Sequence, residues 1–352
     1  MIQIEHHIEE KIATLFKDKF GFLPNSIIKL PNSGSNRIYY RLINDKISVL
    51  GVYNSDKEEN IAFIDFTKQF IKYQINVPEI IAEDLSQNVY LTSDLGDTTL
   101  LEWLLKVRST NHFPVNAIEI YKKALSKLAR MQIVAGKNFN YDHSYPFKEF
   151  DKKAILFDLK YFQDNFLINL KIDYNSTSLD LEFKLFSDHL LSADNKYFMF
   201  RDFQARNIML VHNDPYFIDY QGGRKGALQY DLVSLLFQAK AQIPEKIKKE
   251  LLEHYIDVAQ SYTQINKSEF IKYYYGFALI RVLQTLGAYG LRGIIEKKPH
   301  FLESIPLAIN NLKYLYDKTE ILNKLPQLKL IIDKIINTNI DNKQLYVNSF
   351  NK

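Results

Sequence analysis

The sequence of 352 residues contains no cysteine. Disulfide bonds, metal sites with thiolate ligands and cysteine nucleophiles are therefore excluded. The sequence also has no run of about 18 apolar residues, so we expect no membrane-spanning helix. Its first 19 residues carry several acids in a helical pattern, which is unlike a secretory signal. By elimination we expect a cytoplasmic protein without a membrane partner.

The chain also lacks a strong excess of either charge. It has 45 Lys and Arg against 41 Asp and Glu, which gives a formal net charge of +4. Proteins that bind nucleic acids usually show a pronounced basic excess, so we expect no nucleic-acid partner. The hydrophobic content of 46% is ordinary for a globular protein of this length. These numbers give no indication of the oligomeric state.

The pattern of apolar residues changes near residue 93. Before it, a helical pattern at residues 4–20 is followed by five strand-like runs, at residues 26–30, 37–43, 46–53, 79–82 and 88–92. Apolar spacing predicts one further helix, residues 58–74, between the third and fourth runs. The sequence therefore predicts a β-rich lobe at residues 1–92, a hinge at residues 93–96 and a larger lobe at residues 97–352.

Helical patterns dominate the larger lobe. They cover residues 98–107, 115–134, 147–170, 179–191, 230–240, 245–262, 267–289, 305–316 and 325–336. Strands and loops interrupt them between residues 194 and 230. The expected fold is thus of the α+β class and bilobal, with a β-hairpin embedded in the helical lobe.

That embedded segment carries the candidate chemistry in the run FMFRDFQARNIMLVHNDPYFIDYQGG, residues 198–223. An apolar strand at residues 208–211, a turn at residues 212–215 and a return strand at residues 216–219 predict the hairpin. Asn207 begins one strand and Asp219 ends the other, so we expect their side chains to converge. Asp202 lies five residues before Asn207, on the loop that leads in.

These three residues match the needs of phosphoryl transfer. The reaction requires a divalent metal to hold the phosphates and a carboxylate that orients the attacking hydroxyl and accepts its proton. Magnesium prefers oxygen ligands, typically one or two carboxylates completed by phosphates and water. We therefore predict that Asn207 and Asp219 bind Mg²⁺ and that Asp202 is the catalytic carboxylate. The simpler alternative is a hairpin whose Asp and Asn only cap loops.

The string RDFQARN resembles the catalytic loop of kinases, and Asp219 in IDYQ resembles their metal-binding aspartate. Together with QYDLVSLL, these strings are similar to the aminoglycoside phosphotransferase and choline kinase superfamily, and most like bacterial kinases that phosphorylate N-acetylmuramate and N-acetylglucosamine at the anomeric hydroxyl. The resemblance implies a protein-kinase-like fold, ATP and Mg²⁺ as cofactors, and a small-molecule hydroxyl acceptor. It also implies that Asp231 is a structural brace that accepts backbone N–H bonds from the catalytic loop.

One departure from the superfamily concerns the lysine that usually lies on the third strand and grips the α- and β-phosphates. Val52 stands in its place. Either another cation substitutes, with Arg41 and Lys57 as candidates, or ATP is held differently, or the chain is a degraded, non-catalytic kinase. Glu58 and Glu59 open the predicted helix and could anchor such a cation, although acids there often only complement the helix dipole.

The nucleotide site implied by the resemblance lies between the first long loop and the hinge. The loop at residues 32–36 can cap phosphates with backbone N–H groups and hydroxyls, or it can be an ordinary hairpin turn. The predicted nucleotide-binding residues are Ser33, Gly34, Ser35, Arg41, Ser93, Asp94 and Leu95.

The acceptor site is expected beside Asp202, with four predicted binding residues: Gln204, Arg206, Tyr220 and Arg224. Basic groups there repel a cation, so a neutral or anionic acceptor is favoured, with a sugar or an N-acetylated amino sugar first. A kinase of a cationic alcohol, such as an aminoglycoside or choline, remains the alternative enzyme. The helix at residues 267–289, which carries Arg281 and Gln284, could form the far wall, although an ordinary packed helix is the simpler interpretation.

Overall fold

The computed structural model describes residues 2–31, 37–45, 47–108 and 112–338. Five antiparallel strands form an N-terminal sheet with the spatial order β1-β2-β3-β5-β4. The strands are β1 (Ser26–Lys29), β2 (Ile38–Asn44), β3 (Ile47–Tyr53), β4 (Ile80–Asp84) and β5 (Val89–Ser93). Helix α2 (Lys57–Lys72) connects β3 to β4, as the sequence predicts.

Helix α1 (Ile2–Phe20) covers one face of this sheet. Ile8, Ile12 and Phe16 pack against a buried apolar surface formed by Tyr40, Leu42, Val49, Val89 and Leu91. Gly51 in β3 allows the close approach, because a Cβ atom there would lie 2.2 Å from Cγ2 of Ile12. A larger side chain at this position would push α1 away from the sheet.

The opposite face of the sheet belongs to a core that continues into the helical part. Val52 and Tyr90 of the sheet pack in this core with Phe63 and Phe70 of α2. The ring of Phe70 lies 5.0 Å from that of Phe198, which precedes the candidate catalytic loop. Aromatic packing of this kind fixes the sheet and α2 relative to that loop.

Helices make up most of the remaining chain. They are α3 (Leu100–Val107), α4 (Val115–Arg130), α5 (Lys152–Phe162), α6 (Ser176–Leu191), α7 (Leu228–Leu236), α8 (Glu245–Gln260), α9 (Lys267–Tyr289), α10 (Pro299–Leu302), α11 (Ile305–Tyr316) and α12 (Pro326–Asn337). The predicted α+β class is confirmed. Within the described residues, no helix is both long and apolar enough to cross a membrane.

Two of the boundaries that differ from the predictions have local reasons. Helix α5 begins five residues later than expected because Asp151 caps it, accepting a hydrogen bond from the backbone N–H of Ala154 at 2.8 Å. Helix α7 begins two residues earlier than expected. It follows β9 (Arg224–Gly226), a short strand that was not predicted and that pairs with β6 (Tyr197–Met199).

The hairpin of β7 (Ile208–Val211) and β8 (Asp214–Phe217) has a tighter turn than predicted. His212 and Asn213 have φ angles of 51° and 62°, which is typical of a two-residue type I′ turn. The return strand therefore starts at Asp214 and ends before Asp219. Asp219 itself has a φ of 69° and lies on the loop that follows β8.

Candidate active site

Asp202 lies on the loop between β6 and β7, and two arginines hold its carboxylate. Arg281 of α9 donates to Oδ1 at 2.8 Å, and Arg206 contacts Oδ2 at 2.8 Å. Gln204 also donates to Oδ1, at 3.0 Å. Burial alone would raise the pKa of Asp202, but the charges of Arg206 and Arg281 outweigh it and lower the pKa below its usual value. The carboxylate is therefore ionised at neutral pH.

The two arginines differ in how firmly they are held. The Arg281 side chain is buried, and it donates to the hydroxyls of Ser234 at 2.9 Å and Thr285 at 3.1 Å. The Arg206 side chain is 49% exposed. Arg206 can therefore leave Asp202 at lower cost than Arg281.

The predicted metal ligands lie next to Asp202. The side-chain nitrogen of Asn207 donates to the main-chain oxygen of Asp202 at 2.9 Å and lies 3.4 Å from Oδ2 of Asp219. The backbone N–H of Ile218 donates to the main-chain oxygen of Asn207 at 3.1 Å, which ties the two ends of the hairpin together. The structure thus places Asp202, Asn207 and Asp219 close together, as predicted.

Arg37 is a site residue that sequence reasoning missed. It immediately precedes β2, and its guanidinium contacts Oε1 of Glu59 at 3.1 Å and Oδ1 of Asp219 at 3.3 Å. One feature of the sequence could have identified Arg37. It stands at the start of a run of apolar and aromatic residues, where a charged side chain needs a partner. The partners lie 22 and 182 residues away, so no local pattern identifies them.

Arg41, a predicted nucleotide-binding residue, is paired with two acids of the segment after β5. It contacts Asp94 at 2.7 Å and Asp97 at 2.7 Å, and Asp94 also accepts a hydrogen bond from Ser48 at 2.6 Å. These bonds fix the segment after β5 to the centre of the sheet. Lys57, the other candidate cation, is exposed at the first position of α2.

The other predicted nucleotide-binding residues divide into two groups. Ser33, Gly34 and Ser35 lie outside the described residues. Ser93 ends β5 and accepts a hydrogen bond from the backbone N–H of Glu79 at 2.9 Å, and Leu95 is half-buried beside it. A nucleotide contact stays a prediction for these positions.

A cavity of about 520 Å³ opens beside Asp202. The loop between β6 and β7, α9 and α10 provide most of its walls, so α9 lines this cavity, and its role as a wall of an acceptor site stays a prediction. Asp202 is the only acid among the described residues that line it. The basic and amide side chains of the lining are Arg201, Arg206, Lys240, Arg281, His300, Gln204, Gln238 and Gln284.

Two of the four predicted acceptor residues, Gln204 and Arg206, line this cavity, and the other two do not. The prediction for Tyr220 is wrong, because its ring is fully buried and stacks on Phe63 with 5.0 Å between centroids. Arg224 is also buried. It donates to the main-chain oxygen of Gly222 at 3.1 Å, away from the cavity.

Asp231 lies in the first turn of α7 and is fully buried. Its carboxylate accepts hydrogen bonds from the backbone N–H groups of Phe200 at 2.7 Å and Arg201 at 2.9 Å, and from the side chain of Gln132 at 2.8 Å. Burial raises the pKa of Asp231 to about 7, against the lowering effect of these bonds. The bonds hold Arg201, which has a φ of 82°, in a conformation that non-glycine residues rarely adopt.

Comparison with known proteins identifies a family of phosphotransferases. The sequence model of the phosphotransferase enzyme family matches residues 26–265. An N-acetylmuramate/N-acetylglucosamine kinase of Neisseria meningitidis is 24% identical over 248 residues, covering 68% of this chain and 70% of that protein. A protein of the same name from Pseudomonas aeruginosa is 27% identical over 237 residues, covering 66% and 65%. The chain thus spans about two thirds of the length of these relatives.

Solved structures resemble this one over a larger share of the chain. An amicoumacin kinase in complex with AMP-PNP and Ca²⁺ aligns with a TM-score of 0.61 over 97% of each chain, at 13% sequence identity. At this identity the likeness concerns the fold alone. It confirms the predicted protein-kinase-like fold.

Proposed function

Because the chain belongs to the phosphotransferase enzyme family and is a small-molecule kinase, we propose that it transfers the γ-phosphate of ATP to a hydroxyl of a neutral or anionic sugar. An N-acetylated amino sugar is the first candidate acceptor. The observation that carries the proposal is the convergence of Asp202, Asn207 and Asp219 beside a cavity lined by basic and amide groups. The names of the curated relatives support the same acceptor class.

In this proposal Asp202 orients the acceptor hydroxyl and accepts its proton as the hydroxyl oxygen bonds to the γ-phosphorus, while the bond from that phosphorus to the bridging oxygen breaks and ADP leaves. The lowered pKa keeps the carboxylate ionised, and Arg281 fixes its direction. The hydroxyl needs a free lone pair on the carboxylate. Among the described residues, Oδ2 contacts only the half-exposed Arg206 and, at a longer distance, Asn207. Arg206 therefore yields its place on Asp202 to the acceptor.

The side chains at the hairpin suit a magnesium ion. Such an ion prefers one or two carboxylates or amide oxygens, with phosphate and water oxygens for the rest of its shell. The carboxylate of Asp219 is 37% exposed, and the nitrogen of Asn207 is bonded to Asp202, which leaves the amide oxygen for a ligand. When bound there, Mg²⁺ neutralises the charge of the transferring phosphates.

The charges of the cavity argue against a cationic alcohol as the acceptor. Kinases of such alcohols need acids to receive the cation, and Asp202 is the only acid among the described lining residues. Arg206, Lys240 and Arg281 would instead repel it, and juxtaposed like charges are an effective means of exclusion. These basic side chains do not repel a neutral sugar or one that carries a carboxylate.

A panel of acceptors tests the proposal. The purified protein with Mg²⁺ and ATP would receive N-acetylmuramate, N-acetylglucosamine, kanamycin or choline in separate reactions, and ADP release would be measured. We expect turnover with at least one of the two sugars and none with kanamycin or choline. Turnover with a cationic alcohol alone would contradict the acceptor class, and turnover with none of a wider sugar and alcohol panel would support a pseudokinase.

A further inference from the structure

Strand β3 contains no lysine or arginine, although the kinase fold usually takes its phosphate-gripping cation from this strand. Val52 is fully buried and packs into the core with Phe63 and Tyr90. A substitute cation must therefore reach this same face of the sheet from another element.

Arg37 meets that condition. Ile38 pairs with Tyr53 in the β2–β3 ladder, so Arg37 lies beside the carboxyl end of β3. Its guanidinium lies 5.6 Å from the ring centroid of Phe63, a residue that shares a core cluster with Val52. The cation thus comes from the residue just before the neighbouring strand β2 to the face where the third-strand lysine is missing.

The partners of Arg37 are those expected of the missing lysine. In kinases that lysine pairs with a glutamate on the helix after the third strand and lies near the metal-binding aspartate. Arg37 contacts Glu59 on α2 at 3.1 Å and Asp219 at 3.3 Å. Glu59 is itself held by the side chains of Asn54 at 2.7 Å and Gln221 at 3.0 Å.

We propose that Arg37 replaces the third-strand lysine as the cation that binds the α- and β-phosphates of the nucleotide, with Glu59 as its anchor. This inference rests on the proposed function. The Arg37 side chain is buried, but the carboxylates at its end, those of Asp219 and Glu59, are 37% and 28% exposed. A phosphate oxygen that takes the place of Asp219 on Arg37 preserves the charge balance and frees that carboxylate for Mg²⁺.

An arginine suits this position better than a lysine would. A guanidinium carries five N–H donors in a planar fork, so it can hold Glu59 on one side and a phosphate on another. An ammonium group is a point charge that lacks this fixed geometry. Because Arg37 approaches from the segment just before β2 and not from β3, the longer side chain also supplies the additional reach.

Nucleotide affinity tests the assignment. ATP, ADP and adenosine would be titrated into wild-type protein and Arg37→Met by calorimetry, with Mg²⁺ and again with EDTA. We expect Arg37→Met to bind ATP and ADP about 10- to 100-fold more weakly, the scale of hydrogen bonds to a charged group, and adenosine unchanged. The loss should persist in EDTA, since it does not depend on the metal.

Controls separate this role from structural and general electrostatic ones. Lys68→Met removes an exposed cation of α2, the helix that carries Glu59, and should leave ATP affinity unchanged. If Arg37→Met does not fold, Arg37→Lys keeps the charge, and we expect at least about fivefold weaker ATP binding because the fork is lost. Arg37→Met combined with Val52→Lys should recover part of the affinity.

Two results would overturn the inference. The first is unchanged ATP affinity in the folded Arg37 variants, and a loss in Arg41→Met beside it would make Arg41 the phosphate-binding cation. The second is a loss that disappears in EDTA, which would make Arg37 only a brace for Asp219. Wild-type protein that binds no ATP would instead contradict the proposed function itself.

Discussion

The Nη2 atom of Arg281 lies 2.8 Å from Oδ1 of Asp202, although 79 residues separate the two in the chain. The contact joins the middle of α9, a helix that lines the cavity, to the catalytic loop. Because the guanidinium is buried and has other partners on α7 and α9, it cannot follow the carboxylate if the loop moves. Arg281 therefore fixes both the direction and the charge of Asp202.

The pH dependence of turnover should report this contact. Asp202 acts in its ionised form, and the arginines lower its pKa, so wild-type kcat/KM should hold as the pH falls towards 5. In Arg281→Gln the lowering effect is reduced and burial raises the pKa of Asp202. We expect the acid limb to move to higher pH and kcat to fall about 10- to 100-fold, measured between pH 4.5 and 8. Arg292→Gln, in an exposed pair beyond α9, is the matched control. An acid limb at the same pH in both variants would refute the electrostatic role of Arg281.

Removal of Asp231 should affect both stability and turnover. Asp231→Ala leaves the buried N–H groups of Phe200 and Arg201 without their acceptor, and each costs about 1–3 kcal/mol. We therefore expect the free energy of unfolding to drop by about 2–6 kcal/mol and kcat to drop as well, because Asp202 follows these residues directly. Urea unfolding and steady-state kinetics measure the two effects. A loss of about 1 kcal/mol with full activity is the result expected of a simple helix acid.

The effect of Mg²⁺ on ATP affinity should require the carboxylate of Asp219. With Asp219→Ala, we expect calorimetry to give the same ATP affinity in Mg²⁺ as in EDTA, whereas the wild-type protein binds ATP more tightly with Mg²⁺. Asp214→Ala is the control, since this carboxylate lies on the same hairpin but pairs with Lys127 at 3.0 Å. A magnesium effect that survives in Asp219→Ala would remove the hairpin from the metal site.

Lys240 should contribute to discrimination between sugars. It lines the cavity beside Asp202, and N-acetylmuramate carries a carboxylate that N-acetylglucosamine lacks. We expect Lys240→Met to raise the KM for the carboxylated sugar about fivefold more than that for the neutral one, which corresponds to about 1 kcal/mol for a partly exposed charge pair. Lys225 lies outside the cavity, so Lys225→Met should not change the KM for either sugar. Equal effects on both sugars would show that Lys240 does not contact the carboxylate.

The local pattern of the sequence was sufficient for most of the fold. The bounds of α9 follow from its apolar run between Asn266, which caps the helix by accepting a hydrogen bond from the N–H of Glu269, and Gly290. The spacing of Asp202, Asn207 and Asp219 likewise identifies a hairpin whose ends meet. In each case the information lies within a short stretch of chain, where periodicity and turn chemistry operate.

The features of the site that the sequence did not predict depend on contacts between distant segments or on backbone angles. Arg37 and Arg281 acquire their roles from partners that only the folded chain brings near them. Tyr220 appeared to border the acceptor site because it follows Asp219. The left-handed φ of 69° at Asp219 redirects the chain there, and the ring enters the core against Phe63. Aspartate is enriched among the non-glycine residues that adopt a positive φ, but the residue type alone does not identify which aspartate adopts it.

The central claim is that Asp202 directs phosphoryl transfer from ATP to a sugar hydroxyl, and ³¹P NMR tests it most directly. Wild-type protein and Asp202→Asn would be incubated with ATP, Mg²⁺ and an N-acetylated amino sugar, and the sugar phosphate signal followed over time. We predict a sugar phosphate with the wild-type protein and formation at least about 100-fold slower with Asp202→Asn, at unchanged ATP affinity. A sugar phosphate that forms equally fast with both proteins would contradict the account.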